Sequence, residues 1–177
     1  LDELRALFVL LDERAVTRTQ ALPELGDIPL RLHGRYDRTE VLTAFDRLKV
    51  EKPYSHVAGV EHVPDHRADV FFVTLKKSER EFSPTTMYRD YAISPTLFHW
   101  ESQGATRALS ETGQRYIHHQ QRGQRIYLFV RPTKDDVFTF LGPATYQSHE
   151  RERPIAFVWR LAHAMPERVL QHARLVA

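Results

Sequence analysis

Two short segments are apolar on both of the faces that a β-strand would present, and they constrain the fold most. Residues 70–75 read VFFVTL and residues 126–130 read IYLFV. A strand with one face in water alternates between apolar and polar side chains, whereas a strand covered on both sides does not. The chain therefore needs a sheet with other elements packed against both faces.

Shorter patterns predict the rest of this sheet. Val60 and Val63 indicate a short strand. Residues 137–141 predict a strand that ends at Gly142-Pro143, and residues 146–149 continue it after a bend. Residues 155–161 alternate between apolar and polar side chains, which is typical of one more strand. The polar string HERERP between the last two predicts a turn or loop.

Three segments predict helices. Residues 1–19 place apolar side chains at helical spacing. Asp37 and Glu40 have the spacing of a capping box, so a short helix should follow them. Residues 166–175 predict a closing helix, while residues 110–123 fit either a helix or an exposed loop. Together the elements predict an α+β fold with N-terminal helices followed by a curved, barrel-like, mostly antiparallel β-sheet.

Length and composition restrict the kind of protein. A chain of 177 residues suits one domain with a sizeable core. We expect residues 1–28 to be a helical lead-in or linker from a longer parent chain and residues 29–177 to be a single recognition domain. The net charge is only +2, so affinity for nucleic acid would need a local patch of arginine. The absence of Cys excludes disulfides, thiolate metal sites and a Cys nucleophile.

Catalytic motifs are missing or broken. Asp65 and Lys76 flank a buried strand as in metal-dependent nucleases, but Thr74 occupies the position where a second carboxylate must hold the cation. The histidines lack the spacing of a metal site, and no phosphate-binding glycine loop or nucleophile elbow occurs. We therefore expect no catalytic residue, metal or cofactor in this chain.

The segment 82–103, FSPTTMYRDYAISPTLFHWESQ, mixes rings with hydrogen-bonding groups. A site that stacks a flat base and reads its polar edge needs this mixture. Two rings could sandwich an extruded base, and Asp90 could accept a hydrogen bond from cytosine N4. The predicted base pocket consists of Tyr88, Asp90, Tyr91, Trp100, Ser102 and Gln103. In the alternative interpretation, Trp100 belongs to the core and Asp90 pairs with Arg89 or caps a turn.

Basic and polar side chains could hold DNA around such a pocket. Arginine donates in a planar fork that suits phosphate and guanine edges. The predicted backbone and groove contacts are Arg89, Arg107, Arg115, Arg122, Arg125, Gln147, His149 and Arg151. The last three lie near the predicted loop tip, which fits a solvated hairpin end equally well.

Four strings stand out together: PLRLHGRYDRTEVL (29–42), VFFVTLKKSEREFSPTTMYRDYAISPTLFHWESQ (70–103), YLFVR (127–131) and FTFLGPATYQSHERERPIAFVWRL (138–161). They resemble one bacterial family, a domain of unknown function usually found at the C-terminus of large restriction-type proteins. Those proteins also carry a phospholipase-D-like nuclease and a superfamily 2 helicase. The resemblance covers most of the chain from residue 29 to residue 161, and the FSPTTMYRDY and FHWESQ parts are long and specific.

This resemblance implies the target-recognition module of a modification-dependent restriction enzyme. Such a module would read a modified cytosine, with 5-methylcytosine favoured, in double-stranded DNA, by flipping the base into the aromatic pocket. The ATPase and nuclease activities would belong to the helicase and nuclease domains of the parent chain. The alternative is a coupling domain that docks nuclease onto helicase without touching DNA. A cytoplasmic location without membrane contact is expected, because no segment is apolar enough to span a bilayer.

Overall fold

The computed structural model describes residues 19–48, 58–75 and 89–174. The helix predicted for residues 1–19 lies outside the described residues, apart from Thr19. The described residues form one eight-stranded sheet and one two-stranded sheet. The strands are β1 Gln20–Ala21, β2 Arg31–Leu32, β3 Arg35–Tyr36, β4 Val60–Val63, β5 Ala68–Thr74, β6 Tyr91–Ser94, β7 Leu97–Glu101, β8 Arg125–Arg131, β9 Phe138–Glu150 and β10 Ala156–Leu161.

The main sheet is mixed but mostly antiparallel, as predicted. Its strand order is β4-β5-β8-β9-β10-β7-β6, with β3 paired to the start of β9. Only β5 and β8 run parallel among the described strands. Within the described residues, the outer strands β4 and β6 do not pair with each other. The sheet is therefore open, and the expected barrel-like closure is not formed.

Two apolar clusters cover opposite faces of the sheet, which explains the two all-apolar runs. Phe71 points into one cluster and its neighbour Phe72 into the other. Because successive side chains of a strand alternate between faces, both residues are buried only when both faces are covered. Helices supply that cover: Tyr116 and Leu170 on the first face, and Leu42 on the second.

Three α-helices are described: α1 Arg38–Ala44, α2 Glu111–Ile117 and α3 Glu167–Arg174. The predicted capping box before α1 is confirmed. Asp37 accepts the backbone N–H of Glu40 at 2.8 Å, and Glu40 accepts that of Asp37 at 2.7 Å. The ambiguous segment 110–123 begins with α2, which Ser110 caps by accepting the N–H of Gly113 at 3.1 Å. No helix among the described residues is long and apolar enough to cross a membrane.

The predicted end of a strand at Gly142-Pro143 is wrong, because β9 runs unbroken through both residues. Gly142 adopts a positive φ of 87°, and the pairing with β8 shifts register beside it, between Leu128 and Phe129. A glycine at such an irregularity lets the strand bend and still keep its partners. As a result β9 extends beyond the start of β8, and its residues 145–150 pair with residues 156–160 of β10.

Candidate nucleic-acid interface

At one edge of the main sheet, which is formed by strand ends and not by an outer strand, most of the strands begin or end next to a loop or turn that carries arginine. The pairing places the starts of β5, β6, β8 and β10 and the ends of β4, β7 and β9 at this edge. The segments that flank these strand ends carry seven arginines, and all seven are exposed. We call this set the arginine edge: Arg67, Arg89, Arg107, Arg122, Arg125, Arg151 and Arg153.

One half of the arginine edge is organised around the buried carboxylate of Glu101, at the end of β7. Its Oε1 accepts a 2.7 Å hydrogen bond from Nη2 of Arg151, and its Oε2 accepts the backbone N–H of Arg89 at 2.9 Å. Ser102 joins β7 to the segment before β10, because its hydroxyl accepts the N–H of Ile155 at 3.0 Å. Three loops that are distant in sequence are thereby fixed relative to one another.

The other half is organised around Arg67, which lies between β4 and β5 in the left-handed region with φ 49°. Its Nη2 donates to the carbonyl of Arg122 at 2.8 Å, and its own carbonyl accepts the N–H of Arg125 at 2.8 Å. Arg125 also donates from Nη1 to the carbonyl of Glu24 at 2.8 Å. Arg67 and Arg125 use only part of their donors in these bonds, since a guanidinium carries five.

Positive charge exceeds negative charge along this edge. The exposed carboxylates in the same flanking segments are those of Asp65, Glu111, Glu150 and Glu152. The arginine edge therefore carries seven exposed arginines and four exposed carboxylates. One of these four, Glu152, is already engaged, because both of its carboxylate oxygens accept the N–H of Ala108 at 3.2 Å. The edge thus has the local positive excess that the small net charge of the whole chain does not suggest.

The predicted pocket role of Trp100 is not supported, because Trp100 is a core residue. Its side chain is only 5% exposed and packs against the rings of Phe71, at 4.3 Å between centroids, and Phe157, at 5.7 Å. Trp100 and Phe157 are paired across β7 and β10, so both side chains lie on the apolar first face. The alternative interpretation of Trp100 as core is the correct one.

Ser102 and Asp90 are likewise occupied inside the protein. The Ser102 hydroxyl is buried between Ile155 and the carbonyl of Gln103. Asp90 is buried, and its Oδ1 accepts the N–H of Glu101 at 3.0 Å. A carboxylate that satisfies the backbone in this way is costly to redirect toward a base. The hydrogen bonds of both side chains are therefore made within the protein and not at a base pocket.

Tyr91 and Gln103 remain accessible at the arginine edge. Tyr91 is half-buried and stacks on His99, with ring centroids 4.4 Å apart and planes 13° apart. His99 donates from Nδ1 to the carbonyl of Arg89 at 2.8 Å, which fixes the ring beneath Tyr91. Gln103 is exposed just after β7. Tyr88, the remaining predicted pocket residue, lies outside the described residues.

Arg115 is not available for DNA, contrary to the prediction. It donates from Nε and Nη2 to the two oxygens of Asp69, at 2.9 and 3.0 Å, and Asp69 is completely buried. Burial lowers the pKa of the Arg115 guanidinium, but the hydrogen bond and the charge of Asp69 outweigh it and leave this pKa raised. Asp69 also accepts a 3.0 Å hydrogen bond from Nδ1 of His62. Arg115 is therefore the positive partner of a buried carboxylate.

The predicted contacts near the tip of β9 divide into two groups. Arg151 belongs to the arginine edge. Gln147 is exposed but accepts a 3.0 Å hydrogen bond from Nε of Arg160, and His149 is half-buried with Nδ1 2.7 Å from the hydroxyl of Tyr146. His149 is paired with Phe157 and so lies on the first face of the sheet, toward α2. Of these residues, only Arg151 and Gln147 are openly accessible.

A large cleft lies away from the predicted pocket. It has a volume of about 960 Å³ and lies between α1, the turn at residues 64–67 and the segment at residues 25–30. Its acidic lining repels the phosphates of DNA, although Arg67 and Arg125 reach one rim. Its carboxylates are those of Asp27, Asp37, Glu40, Asp46 and Asp65. No cluster of three or more potential metal ligands occurs among the described residues.

Sequence reasoning missed Arg67 and Arg153. Arg67 follows Pro64, whose turn signal marks a strand end, and Arg153 lies in the polar HERERP string. Both positions could have been identified as loop arginines. Their convergence with Arg89 and Arg107 could not, because it depends on the order of strands in the sheet.

These features define an α+β domain with an open, mostly antiparallel sheet and an arginine-lined edge. The family model described as "Domain of unknown function (DUF3427)" matches residues 30–173, and the chain belongs to this family. No curated protein matches the chain.

Proposed function

We propose that this domain is a DNA-binding target-recognition module, and that it holds duplex DNA along the arginine edge. The observation that carries the proposal is the convergence of seven exposed arginines at one end of the sheet, six from segments between the strands and one from the start of β8. Arginine side chains neutralise phosphates and release counterions, which is the main sequence-independent source of affinity for DNA. Loops on a rigid sheet are also where base-reading side chains commonly lie.

The dimensions of the edge fit this role. Five strand spacings separate β5, which follows Arg67, from β6, which follows Arg89. At roughly 4.8 Å for each spacing, the edge is about 24 Å wide. A duplex carries one phosphate charge for every ~1.7 Å of its axis, or about 14 charges over that width. The arginines can thus contact different phosphates instead of competing for one.

The finer part of the proposal is that the module reads a modified cytosine, with 5-methylcytosine favoured, by base flipping. Two observations support a stacking site at this edge: the ring of Tyr91 is held on His99, and Gln103 is exposed nearby. A ring that stacks on an extruded base contributes about 1–3 kcal/mol. Since Trp100 lies in the core, Tyr91 is the ring that we propose stacks on the base.

The biological setting follows from the resemblance noted in the sequence. We infer a restriction-type parent protein, in which nuclease and ATP-dependent helicase domains of the same chain cleave and move on DNA in the cytoplasm. In such a protein a base modification would separate self from foreign DNA, and the domain itself would not be an enzyme. This setting is compatible with a surface built for binding, such as the arginine edge.

A second candidate function is that of a coupling domain between nuclease and helicase. The acidic cleft beside α1 favours it, because a lining with five carboxylates and with apolar residues such as Ile28 and Leu30 fits a basic segment of a neighbouring domain. The two candidates use neighbouring surfaces that meet at Arg67 and Arg125. DNA would bind to the arginine edge, and a basic protein segment would bind to the cleft.

The experiment that tests the proposal measures binding of the 177-residue chain to one labelled duplex by fluorescence anisotropy. The duplex is prepared unmodified, with 5-methylcytosine and with 5-hydroxymethylcytosine, and each is titrated at two salt concentrations. Tighter binding to a modified duplex supports the modified-base reader. Equal, salt-sensitive binding leaves a DNA-binding module without modification reading, and no binding to any duplex overturns the proposal in favour of the coupling domain.

A further inference from the structure

Leu109 is the most exposed large hydrophobic residue of the described chain. Its exposed fraction is 89%, compared with 46% for Ile93 and 36% for Val137. It lies in the connection between β7 and α2, two residues after Arg107 and directly before Ser110, which caps α2. A lone apolar side chain at the surface is ordinary in itself. The contacts that fix the backbone on both sides of Leu109 are unusual for such a residue.

The backbone on both sides of Leu109 is fixed by four separate contacts. Glu152 accepts the N–H of Ala108 with both oxygens at 3.2 Å, and Gln114 donates to the Ala108 carbonyl at 2.9 Å. The Ser110 hydroxyl donates to the carbonyl of Arg107 at 2.6 Å, and the Ser110 N–H donates to the same carbonyl at 3.0 Å. These contacts hold the backbone on both sides of Leu109, and its side chain projects into solvent.

The packing beneath the loop is equally tight. A Cβ on Gly113 would contact the carbonyl oxygen of Arg107, and it would lie 2.7 Å from the carbonyl oxygen and 2.9 Å from the Cα of Ala108. The loop therefore rests directly on the first turn of α2, and only glycine leaves room for it. Helix, loop and the Glu152 turn form one rigid unit that presents Leu109 beside the exposed Arg107.

We propose that Leu109 is a wedge that inserts between base pairs of the DNA held along the arginine edge. This inference rests on the proposed function and adds a mechanism to it. Proteins that kink DNA frequently insert a Leu, Ile, Phe, Met or Pro between base steps and also contact the DNA through arginine. Leu109 has the required side chain, exposure, rigidity and neighbour, and it lies in one of the connections that form the edge.

The neighbouring charges favour DNA over a protein partner as the occupant. Arg107 and Arg153 are exposed. Of the two nearby carboxylates, Glu111 is exposed, and Glu152 is turned onto the backbone N–H of Ala108. A wedge must approach a phosphate backbone, and this arrangement supplies cations there while the Glu152 carboxylate is held on the loop. A protein partner would require a larger apolar patch around Leu109 than the described surface shows.

The test compares the 177-residue chain with its Leu109→Ala variant on a duplex of about 25 bp that carries one 5-methylcytosine and a fluorophore at each end. Anisotropy gives affinity, and energy transfer between the ends gives the bend. Ile93→Ala is the matched control, since Ile93 is also exposed but lies within β6. We expect Leu109→Ala to weaken binding about tenfold and to abolish most of the bend, and Ile93→Ala to change neither.

The outcomes separate the wedge from the proposed function. If the unaltered chain binds and bends the duplex and Leu109→Ala behaves identically, the wedge is rejected and the DNA-binding module stands. If the unaltered chain does not bind the duplex, both are rejected. If the unaltered chain self-associates in sedimentation without DNA, and Leu109→Ala abolishes this association while leaving DNA binding intact, Leu109 is a protein contact and the wedge is rejected.

Discussion

The guanidinium of Arg115 lies flat against the carboxylate of Asp69, with Nε–Oδ2 and Nη2–Oδ1 distances of 2.9 and 3.0 Å. This contact joins α2 to β5, two elements 46 residues apart in sequence. Asp69 has no exposed surface, and its carboxylate accepts hydrogen bonds from Arg115 and His62. The pair therefore fixes the helix that carries the Leu109 loop onto the sheet.

Replacing Arg115 should strongly destabilise the fold. Arg115→Ala leaves the Asp69 carboxylate buried without its main partner, and breaking such a pair typically costs about 3–5 kcal/mol. Urea denaturation at pH 7 measures the free energy of unfolding. The control is Arg122→Ala, because Arg122 is exposed and offers only its backbone to Arg67; it should stay within about 0.5 kcal/mol of the unaltered chain. Equal stabilities for the two variants would contradict the structural role.

Substitutions of Trp100 and Tyr91 should have different effects on two quantities, the free energy of unfolding and the affinity for DNA. Trp100→Ala removes a buried ring and should lower the free energy of unfolding by about 3–5 kcal/mol. Tyr91→Ala should cost far less stability, because Tyr91 is half-buried, but it should weaken binding to the modified duplex by about 1–3 kcal/mol. Unfolding curves and anisotropy titrations on both variants provide the comparison. A well-folded Tyr91→Ala variant with full affinity would remove Tyr91 from the proposed site.

Gly113 offers a test of the packing beneath the Leu109 loop. In an ordinary helix interior, Gly→Ala adds stability. Here the new Cβ would meet the backbone of Arg107 and Ala108, so we expect Gly113→Ala to lose about 1–3 kcal/mol instead. Gly104→Ala is the control, since nothing lies within 4 Å of its Cβ position. Stabilisation by Gly113→Ala in thermal unfolding would show that the loop is not packed as described.

The stability should fall at mildly acidic pH because of His119. Burial lowers the pKa of its imidazole below 6.5, despite opposing effects of the Gln124 carbonyl and Asp69. Its Nδ1 donates to the Gln124 carbonyl at 3.1 Å, and its Nε2 accepts the N–H of Tyr146 at 3.1 Å. Protonation would put two donors face to face at Nε2.

The direction of this effect follows from the lowered pKa. In the window just below pH 6.5 the unfolded chain binds more protons than the folded one, so the stabilisation present above that pH is lost as the pH falls. Urea midpoints between about pH 8 and pH 5 measure the loss, and His119→Gln should flatten the curve. Burial also lowers the pKa of His33, so some pH dependence should persist in the variant. A midpoint that rises on acidification would contradict this account.

The local sequence predicts the elements of the fold better than their arrangement. The capping box of Asp37 and Glu40 depends on neighbours three residues apart, and the buried runs around Phe71 and Tyr127 need only a strand's alternation. The order of the strands, and with it the open sheet, depends on pairings that no local pattern encodes. Gly142 is an example. The sequence predicts a strand end there, but β9 pairs with β8 and β10 and only bends at this residue.

The candidate site shows the same limit. Rings and hydrogen-bonding groups in residues 82–103 predict a pocket by composition, but adjacent residues of a strand point to opposite faces. Trp100 therefore lies in the core, whereas its neighbour His99 lies beneath Tyr91. Likewise, sequence identifies arginines in loops but cannot separate Arg115, which faces Asp69, from Arg107, which faces solvent.

The most direct test of the central claim is the salt dependence of duplex binding for two triple variants. Arg89→Ala/Arg107→Ala/Arg153→Ala removes three exposed arginines of the arginine edge. The control, Arg35→Ala/Arg168→Ala/Arg174→Ala, removes three exposed arginines from β3 and α3 and changes the net charge equally. We expect the edge variant to bind more weakly and its slope of log K against log salt to shrink by about one for each phosphate that is no longer neutralised, while the control keeps both. Equal weakening in the two variants, or none in either, would contradict DNA binding at the arginine edge.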